Sequence, residues 1–382
     1  MEKCKLGDIC EIVSGSTPKT TIEEYWDGDV KWITPAELNE NVYIINDSVR
    51  KITKLAVEKT GLSSFPEVTV ILSTRAPIGK VAIAGCEMYC NQGFKNLICS
   101  EKIFNKYLYW FLKGNTMFLN SLGRGATFKE ISKAIVSEIE INVPEIEEQH
   151  EIVKILEKVN TIIRFRKQEL SVLDTLVKAR FVEMFENKTE YDQFRLEEIA
   201  DIVSGITKGR KTKCGELREV PYMAVSNVKD GYIDWTTVKT ILATEDEIIQ
   251  YKLLPDDVLM TEGGDPDKLG RGAIISLPPK DCIHQNHIFR VRLDETRILP
   301  RYFSAYLQSP QAKTYFLRAA KQTTGIASIN MRQLRGLPTI VPPIEQQLKY
   351  VSFSEQVDKS KVINQLLQKW NYMCHVTIEK VK

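Results

Sequence analysis

Residues 9–17 read ICEIVSGST, and residues 199–207 read IADIVSGIT. A likeness this short arises easily by chance, so its register has to hold along the chain before it counts as a repeat. At the same offset Lys5-Leu6 meets Arg195-Leu196, and WITPAEL from Trp32 meets YMAVSNV from Tyr222. Farther on, YCNQGF at 89–94 faces DCIHQNHIF at 281–289, and FNKYLYWFLKGN from Phe104 faces LPRYFSAYLQSP from Leu299. Last, VPEIEEQ at 143–149 meets VPPIEQQ at 341–347, the offset having grown from 190 to 198. Five echoes in one order make the chain two diverged copies, about 1–190 and 191–382.

Length and composition agree with two cores. A chain of 382 residues is long for one hydrophobic core, and 43% apolar content suffices for two. With 52 basic and 50 acidic residues the net charge is +2, so charge overall neither demands nor excludes a polyanion. Any nucleic-acid surface must be local. The eight cysteines, at positions 4, 10, 86, 90, 99, 214, 282 and 374, form no paired CxxC set and suggest no disulfide framework. They read as small buried hydrophobes in a reducing compartment. The opening MEKCKLGD lacks the apolar run of a signal peptide, and no stretch approaches 18 uncharged apolar residues. The expectation is a cytoplasmic protein without membrane contact.

Short strand-like runs open each copy: DVKWITPAEL, EVTVILSTRAPIGKVAIAG and MYCNQGFKNLIC in the first, VPYMAVSNV, DDVLMTEG and RGAIISL in the second. Val, Ile and Thr broken by Gly and Pro favour strands. A helix follows over Phe104 to Leu119, with a counterpart from Arg301. Each copy is thus expected to hold a strand-rich α/β globule of roughly 140 residues.

After each globule comes a proline-bounded helix. Apolar residues at Ile152, Leu156, Val159, Ile163, Leu170, Leu173 and Val177 form a heptad seam interrupted by Arg166. From Ile146 to Met184 the segment is 39 residues, about 58 Å at ~1.5 Å per residue, and such a rod needs a partner. The second copy offers Leu348, Val351, Val362, Leu366, Trp370 and Met373, less regularly, with SFSEQVDKSK unexplained between Val351 and Val362. An antiparallel coiled coil is the preferred reading, because the long seam would otherwise face water; each helix packing on its own globule is the alternative. The expected division is 1–144 and 187–342 for two α/β globules, 145–186 and 343–382 for the two long helices.

The domain-opening LGDICEIVSGSTPK from Leu6 and LEEIADIVSGITKG from Leu196, the strand and turn ILSTRAPIGKVAI from Ile71, and the helix openings VPEIEEQ and VPPIEQQ together point to a known family. In their order, done twice over essentially the whole chain, they resemble the specificity subunits of type I DNA restriction-modification systems. The resemblance implies a non-catalytic DNA reader. Two target-recognition domains would each read half of a bipartite target in the major groove, while the helices set the unread spacer. It further implies double-stranded DNA, two adenine N6-methyltransferase subunits bound along the helices, and motor and nuclease subunits as partners. S-adenosylmethionine would belong to the methyltransferase, so no cofactor is expected on this chain. The chain departs from the family at Glu145, where a second proline is usual, and in DVLMTEGGDPDKLGRGAII, which is longer and more acidic than Ile71 to Ile83. The second departure fits two domains that read different sequences.

Phosphate contacts call for donors in loops, and base reading calls for planar amides or Arg near the groove floor. In the first copy Thr17 and Lys19 follow the shared opening, Arg75 and Lys80 flank APIG, Asn91 and Gln92 precede Gly93, and Arg124 has glycine on both sides. Arg75 and Lys80 read equally as solvated hairpin charges, and the two amides as turn residues bonded to their own backbone. In the second copy ITKGRKTKCGELR gathers Lys208, Arg210, Lys211, Lys213 and Arg218 against Glu216, as a DNA-facing run or a solvated surface. Lys268 and Arg271 bracket Gly270, and His284, Gln285, Asn286 and His287 occupy the register of Asn91-Gln92. Gln285 or Asn286 is a candidate adenine reader. His284 and His287, three apart on a strand, face opposite ways with no Cys/His pair spaced to complete a zinc site, so no metal is expected.

Catalytic loops are missing. The sequence has no GxGxxG after a strand, no GxxxxGK followed by Ser or Thr, no GxSxG and no HExxH, and SLPPK at 276–280 lacks the aromatic of an amino-methyltransferase tetrapeptide. The acidic clusters GGDPD and EDE have no acidic counterparts in the other copy, against a two-metal nuclease. The chain therefore reads as no enzyme. A duplicated coiled-coil scaffold that binds only protein is the competing class, and would show no salt-dependent DNA affinity even with its partners present.

Overall fold

The computed structural model describes residues 2–39, 42–75, 77–125, 129–186, 190–210, 216–264, 269–323 and 326–361. The chain divides into two compact units, 1–164 and 165–382, and the boundary falls inside the long helix Ile146–Phe185.

Unit one contains β1 (Glu2–Lys5), β2 (Cys10–Ser14), β3 (Trp26–Ile33), β4 (Ile44–Ile45), β5 (Arg50–Ile52), β6 (Val70–Ser73), β7 (Val81–Ala84), β8 (Tyr89–Cys90), β9 (Phe94–Cys99) and β10 (Glu140–Val143). They form a sheet ordered β2-β9-β6-β7-β4, a second ordered β5-β3-β8, and a ribbon β1-β10. Every residue of β6 and β7 is buried, because these strands are covered on both faces. Alternation sorts them. Val70 and Leu72 pack with Leu108, Tyr109 and Leu112 of helix Asn105–Gly114, whereas Ile71 packs with Ile33, Phe65 and Met88 on the opposite face.

Unit two contains β11 (Asp192–Arg195), β12 (Ala200–Ser204), β13 (Arg218–Met223), β14 (Lys239–Ala243), β15 (Val258–Thr261), β16 (Gly263–Gly264), β17 (Gly272–Ile274), β18 (Ile283–His284), β19 (Ile288–Leu293), β20 (Lys321–Thr323), β21 (Ile326–Ser328) and β22 (Pro338–Val341). Its sheets β12-β19-β15-β17, β14-β13-β18 and β11-β22 follow the first unit's order except that β4 has no counterpart beside β17, and β16-β21-β20 is added. Val258 and Met260 share a core with Tyr302, Phe303 and Phe316, while Leu259 faces the core on the other side. The repeated sequence is a repeated topology.

The last of the five echoes has a structural cause. Gln149 is buried, donates from Nε2 to the carbonyls of Lys102 and Pro144 at 2.9 Å each, and accepts at Oε1 from the Phe104 amide at 2.8 Å. Gln347 repeats this with Arg297 O at 2.9 Å, Pro342 O at 2.8 Å and the Leu299 amide at 2.8 Å. One side chain thus satisfies backbone groups at a helix start and fixes each long helix to its globule.

The helix expected at 145–186 is Ile146–Phe185, and its seam residues Ile152, Leu156, Val159, Ile163, Leu170, Leu173 and Val177 are all half-buried. In unit two it ends on an aromatic cluster in which Phe181 and Phe185 pack against Tyr302 and Tyr350. The second helix, described over 344–361, runs antiparallel to it: Tyr350 meets Phe181 and Phe185, Phe353 meets Arg180, and Lys361 Nζ lies 2.8 Å from Asp174. Its most enclosed line is Gln347, Tyr350, Ser354, Val357 and Lys361, at alternating spacings of three and four. This corrects the expected line at Leu348. Leu348 is 52% exposed and Val351 is half-buried beside the core, because three of the five inward positions are polar and a count of apolar residues finds the neighbouring stripe. Val362, Leu366 and Trp370 lie outside the described residues.

Candidate nucleic-acid interface

In each unit the opening strand leaves its sheet beside a turn that carries the candidate amides. Ser16 donates to Cys90 O at 2.9 Å, and Ile206 donates to His284 O at 2.8 Å. A Cβ on Gly15 would sit 2.0 Å from Asn91 O, and one on Gly205 would sit 2.0 Å from His284 O. The shared IVSG is therefore a demand of close backbone approach that only glycine meets. It pins β2 and β12 to the turns that follow β8 and β18.

Equivalent backbone bonds match the two turns residue by residue. Asn91 donates to Ile33 O at 3.1 Å, and Gln285 donates to Met223 O at 3.0 Å. Thr74 donates to Gly93 O at 2.7 Å, and Glu262 donates to His287 O at 3.0 Å. Ser73 donates to Lys80 O at 2.8 Å, and Thr261 donates to Arg271 O at 3.2 Å. Cys90 therefore corresponds to His284, Asn91 to Gln285, Gln92 to Asn286, Gly93 to His287, and Lys80 to Arg271. Gly79 and Gly270 precede the two basic residues at φ 91° and 72°, so both basic side chains leave the same left-handed turn.

In unit one the Thr17 hydroxyl donates to Gln92 Oε1, Asn91 Oδ1 accepts from the Gly93 amide at 3.0 Å, and Lys80 Nζ donates to Pro35 O at 2.9 Å. Arg75 and the nearly buried Lys95 both pair with Glu130, at 3.9 and 3.8 Å. Glu130 also exchanges both backbone hydrogen bonds with Arg124, whose side chain is exposed. Thr17, Arg75, Lys80, Asn91, Gln92 and Arg124 are thus linked through one set of contacts around the turn. Lys19 is exposed, and its carbonyl accepts from the Trp26 indole at 3.3 Å.

In unit two His284 is fully buried, with ring nitrogens 3.1 Å from Tyr251 O and 3.3 Å from Val203 O. Burial pushes its imidazole down to about 4. A side chain on the inner face of the strand cannot touch a partner, which removes His284 from the DNA-facing set. Gln285 Oε1 accepts from the Val225 amide at 3.3 Å, and Arg271 Nε is buried without a hydrogen-bond partner. Arg210 forks onto Glu247, and Arg218 pairs with Asp281 at 2.9 Å and Glu245 at 3.3 Å, so these two cations serve carboxylates of their own unit. Lys208 is exposed; Lys211, Lys213 and Lys268 lie outside the described residues. Among the described residues no group of three or more His, Cys, Asp or Glu could hold a metal, and no helix is long and apolar enough to cross a membrane.

A family model described as the type I restriction modification DNA specificity domain matches residues 1–175 and again residues 188–369. The chain belongs to this specificity family. It is 38% identical over 224 residues to the type I restriction enzyme MjaIX specificity subunit of Methanocaldococcus jannaschii, covering 56% of this chain and 51% of that one. The chain thus matches about half the length of that relative. It is 24% identical over 334 residues to the EcoKI specificity subunit of Escherichia coli, covering 80% of this chain and 70% of that one. Among solved structures, the S subunit of a type I restriction-modification system from M. genitalium aligns over 98% of this chain and 94% of its own, with TM-score 0.53 at 15% identity. A chain solved for complex assembly and conformational transition of the type I restriction-modification system aligns over 100% of this chain and 95% of its own, with TM-score 0.60 at 16% identity. These superpositions establish a shared fold. Sequence reasoning missed Lys95 and Glu130, which lie 35 positions apart in the chain and 3.8 Å apart in the fold.

Proposed function

We propose that the chain is the non-catalytic DNA-reading subunit of a type I restriction-modification complex. Domains 1–144 and 187–342 each read one half of a bipartite double-stranded target in the major groove. The helices at 145–186 and 343–382 form an antiparallel coiled coil that sets the spacer between the halves. Two adenine N6-methyltransferase subunits dock along the helices and carry the S-adenosylmethionine, and motor and nuclease subunits join that complex.

The observation that carries this reading is one turn built twice on the same backbone bonds with different side chains, Asn91-Gln92-Gly93 against Gln285-Asn286-His287. Amides suited to base edges lie beside Arg75, Lys80 and Arg124 in one unit and Arg271 in the other. On the long helix Ile155 and Ile162 in unit one, and Val172 and Leu176 in unit two, stay 46–59% exposed, apolar surface that supports a protein partner. Methylation sequencing of a plasmid in cells carrying the chain with its cognate methyltransferase, against the methyltransferase alone, tests the proposal. N6-methyladenine at a split motif that needs the chain is the expected result. A copurifying complex with no new motif would transfer the chain to the protein-scaffold class.

A further inference from the structure

Unit two carries a line of polar contacts at its recognition turn that unit one builds differently. His287 stands where unit one has Gly93, and Glu262 stands where it has Thr74, a buried residue whose hydroxyl lies 3.3 Å from Gly93 O. In unit two these positions carry ionisable side chains that meet, with His287 Nδ1 2.5 Å from Glu262 Oε2. A carboxylate only accepts, so Nδ1 donates to Glu262, and Nε2 faces a group that can only donate to it. Nε2 lies 3.4 Å from Asn286 Nδ2, which only donates. One N–H of the Asn286 amide is thereby directed at the ring, leaving the other N–H and Oδ1 for a partner. Those two groups are the pair that bonds adenine at N7 and N6. The backbone beneath is fixed, since Ser204 Oγ donates to Asn286 O at 2.6 Å and the Asn286 amide donates to Ile206 O at 3.1 Å.

We propose that Glu262 and His287 are positioning residues that orient the Asn286 amide toward an adenine of the second half-site. The proposal rests on the DNA-reading function above. Without the relay, a half-turn of the Asn286 amide exchanges its donor and acceptor and lets it pair with other base edges. Unit one orients its matching side chain by another route, through the hydroxyl of Thr17 on Gln92 Oε1.

The test uses the purified complex of the full chain with its methyltransferase subunits and a panel of duplexes in which each target position carries each base in turn. Two variants are compared with the wild type, His287→Gly, which installs the residue of the first copy, and Glu262→Ala. Both side chains are substantially exposed, at 57% and 36%, so neither removal opens a core. Discrimination for adenine should fall roughly fivefold or more at one second-half position, with every first-half position unchanged. Unaltered discrimination throughout the second half would overturn the proposal, as would an equal loss at all positions of both halves. If one variant fails to assemble, the other decides. A wild-type complex without any chain-dependent target would instead strike at the DNA-reading function itself.

Discussion

The turns after β8 and β18 rest on the same backbone bonds and carry different chemistry. In the first, Cys90 is buried, Asn91 ties back to Gly93, and Glu130 is shared by Arg75 and Lys95. In the second, a buried His284 replaces the thiol, an exposed His287 replaces the glycine, and Ser328 pairs with Gly263 where Glu130 pairs with Arg75. What repeats is what the backbone requires, namely Gly15 and Gly205 at the close approach and Gln149 and Gln347 at the helix starts. What diverges faces outward or lies directly beneath the turn. One scaffold can therefore carry two recognition surfaces that change independently.

The strongest way to break the comparison is to overfill one close approach. In Gly205→Ala the added methyl meets the His284 carbonyl at 2.0 Å, a backbone atom that no side-chain rotation can move away. We expect a loss of several kcal/mol, with hydrogen exchange accelerated around β12 and β18 and unchanged around β2 and β8; Gly15→Ala should reverse the pattern. Next in size, Gln347→Leu leaves one amide and two carbonyls without their side-chain partner. Chemical denaturation should show unit two weakened by roughly 2–4 kcal/mol, and Gln149→Leu should do the same to unit one.

A pH titration sharpens the comparison further. The unfolded chain protonates His284 near the ordinary imidazole value of ~6.5, whereas the folded unit refuses that proton until about 4. Unit two therefore loses stability as pH falls through this window, by about 3 kcal/mol in full. His284→Cys, which installs the first copy's residue, should flatten that part of the profile of Tm against pH. Burial pushes the matching Cys90 thiol up to about 12, so it contributes no slope there. The smallest effect is expected of Arg124→Ala. If its exposed side chain meets phosphate, affinity should fall on all sequences alike and the salt slope should shrink by about 1.

The duplication was legible in the sequence because two of its echoes, the IVSG glycine and the helix-start glutamine, are backbone requirements that resist divergence. The repetition of the strand-like runs along the chain followed from the same register, while their order within the sheets needed the fold. Side-chain commitments were not legible, since Lys80 finds Pro35 across 45 positions and Arg210 finds Glu247 across 37. The burial of His284 was hidden by its polar neighbours in IHQNH, and the inward line of the second helix by its own Gln347, Ser354 and Lys361. Of the candidate site, the amides were picked for their pairing chemistry and matched between the copies by register, while the Glu262 and Glu130 contacts needed the fold.

The most direct measurement is methylation sequencing with two paired variants, Asn91→Ala with Gln92→Ala in one chain and Gln285→Ala with Asn286→Ala in another. The account predicts two split motifs with the wild-type spacer, each degenerate in a different half. Degeneracy in the same half for both chains, or in both halves for either, would contradict the claim that each copy reads its own half of the target.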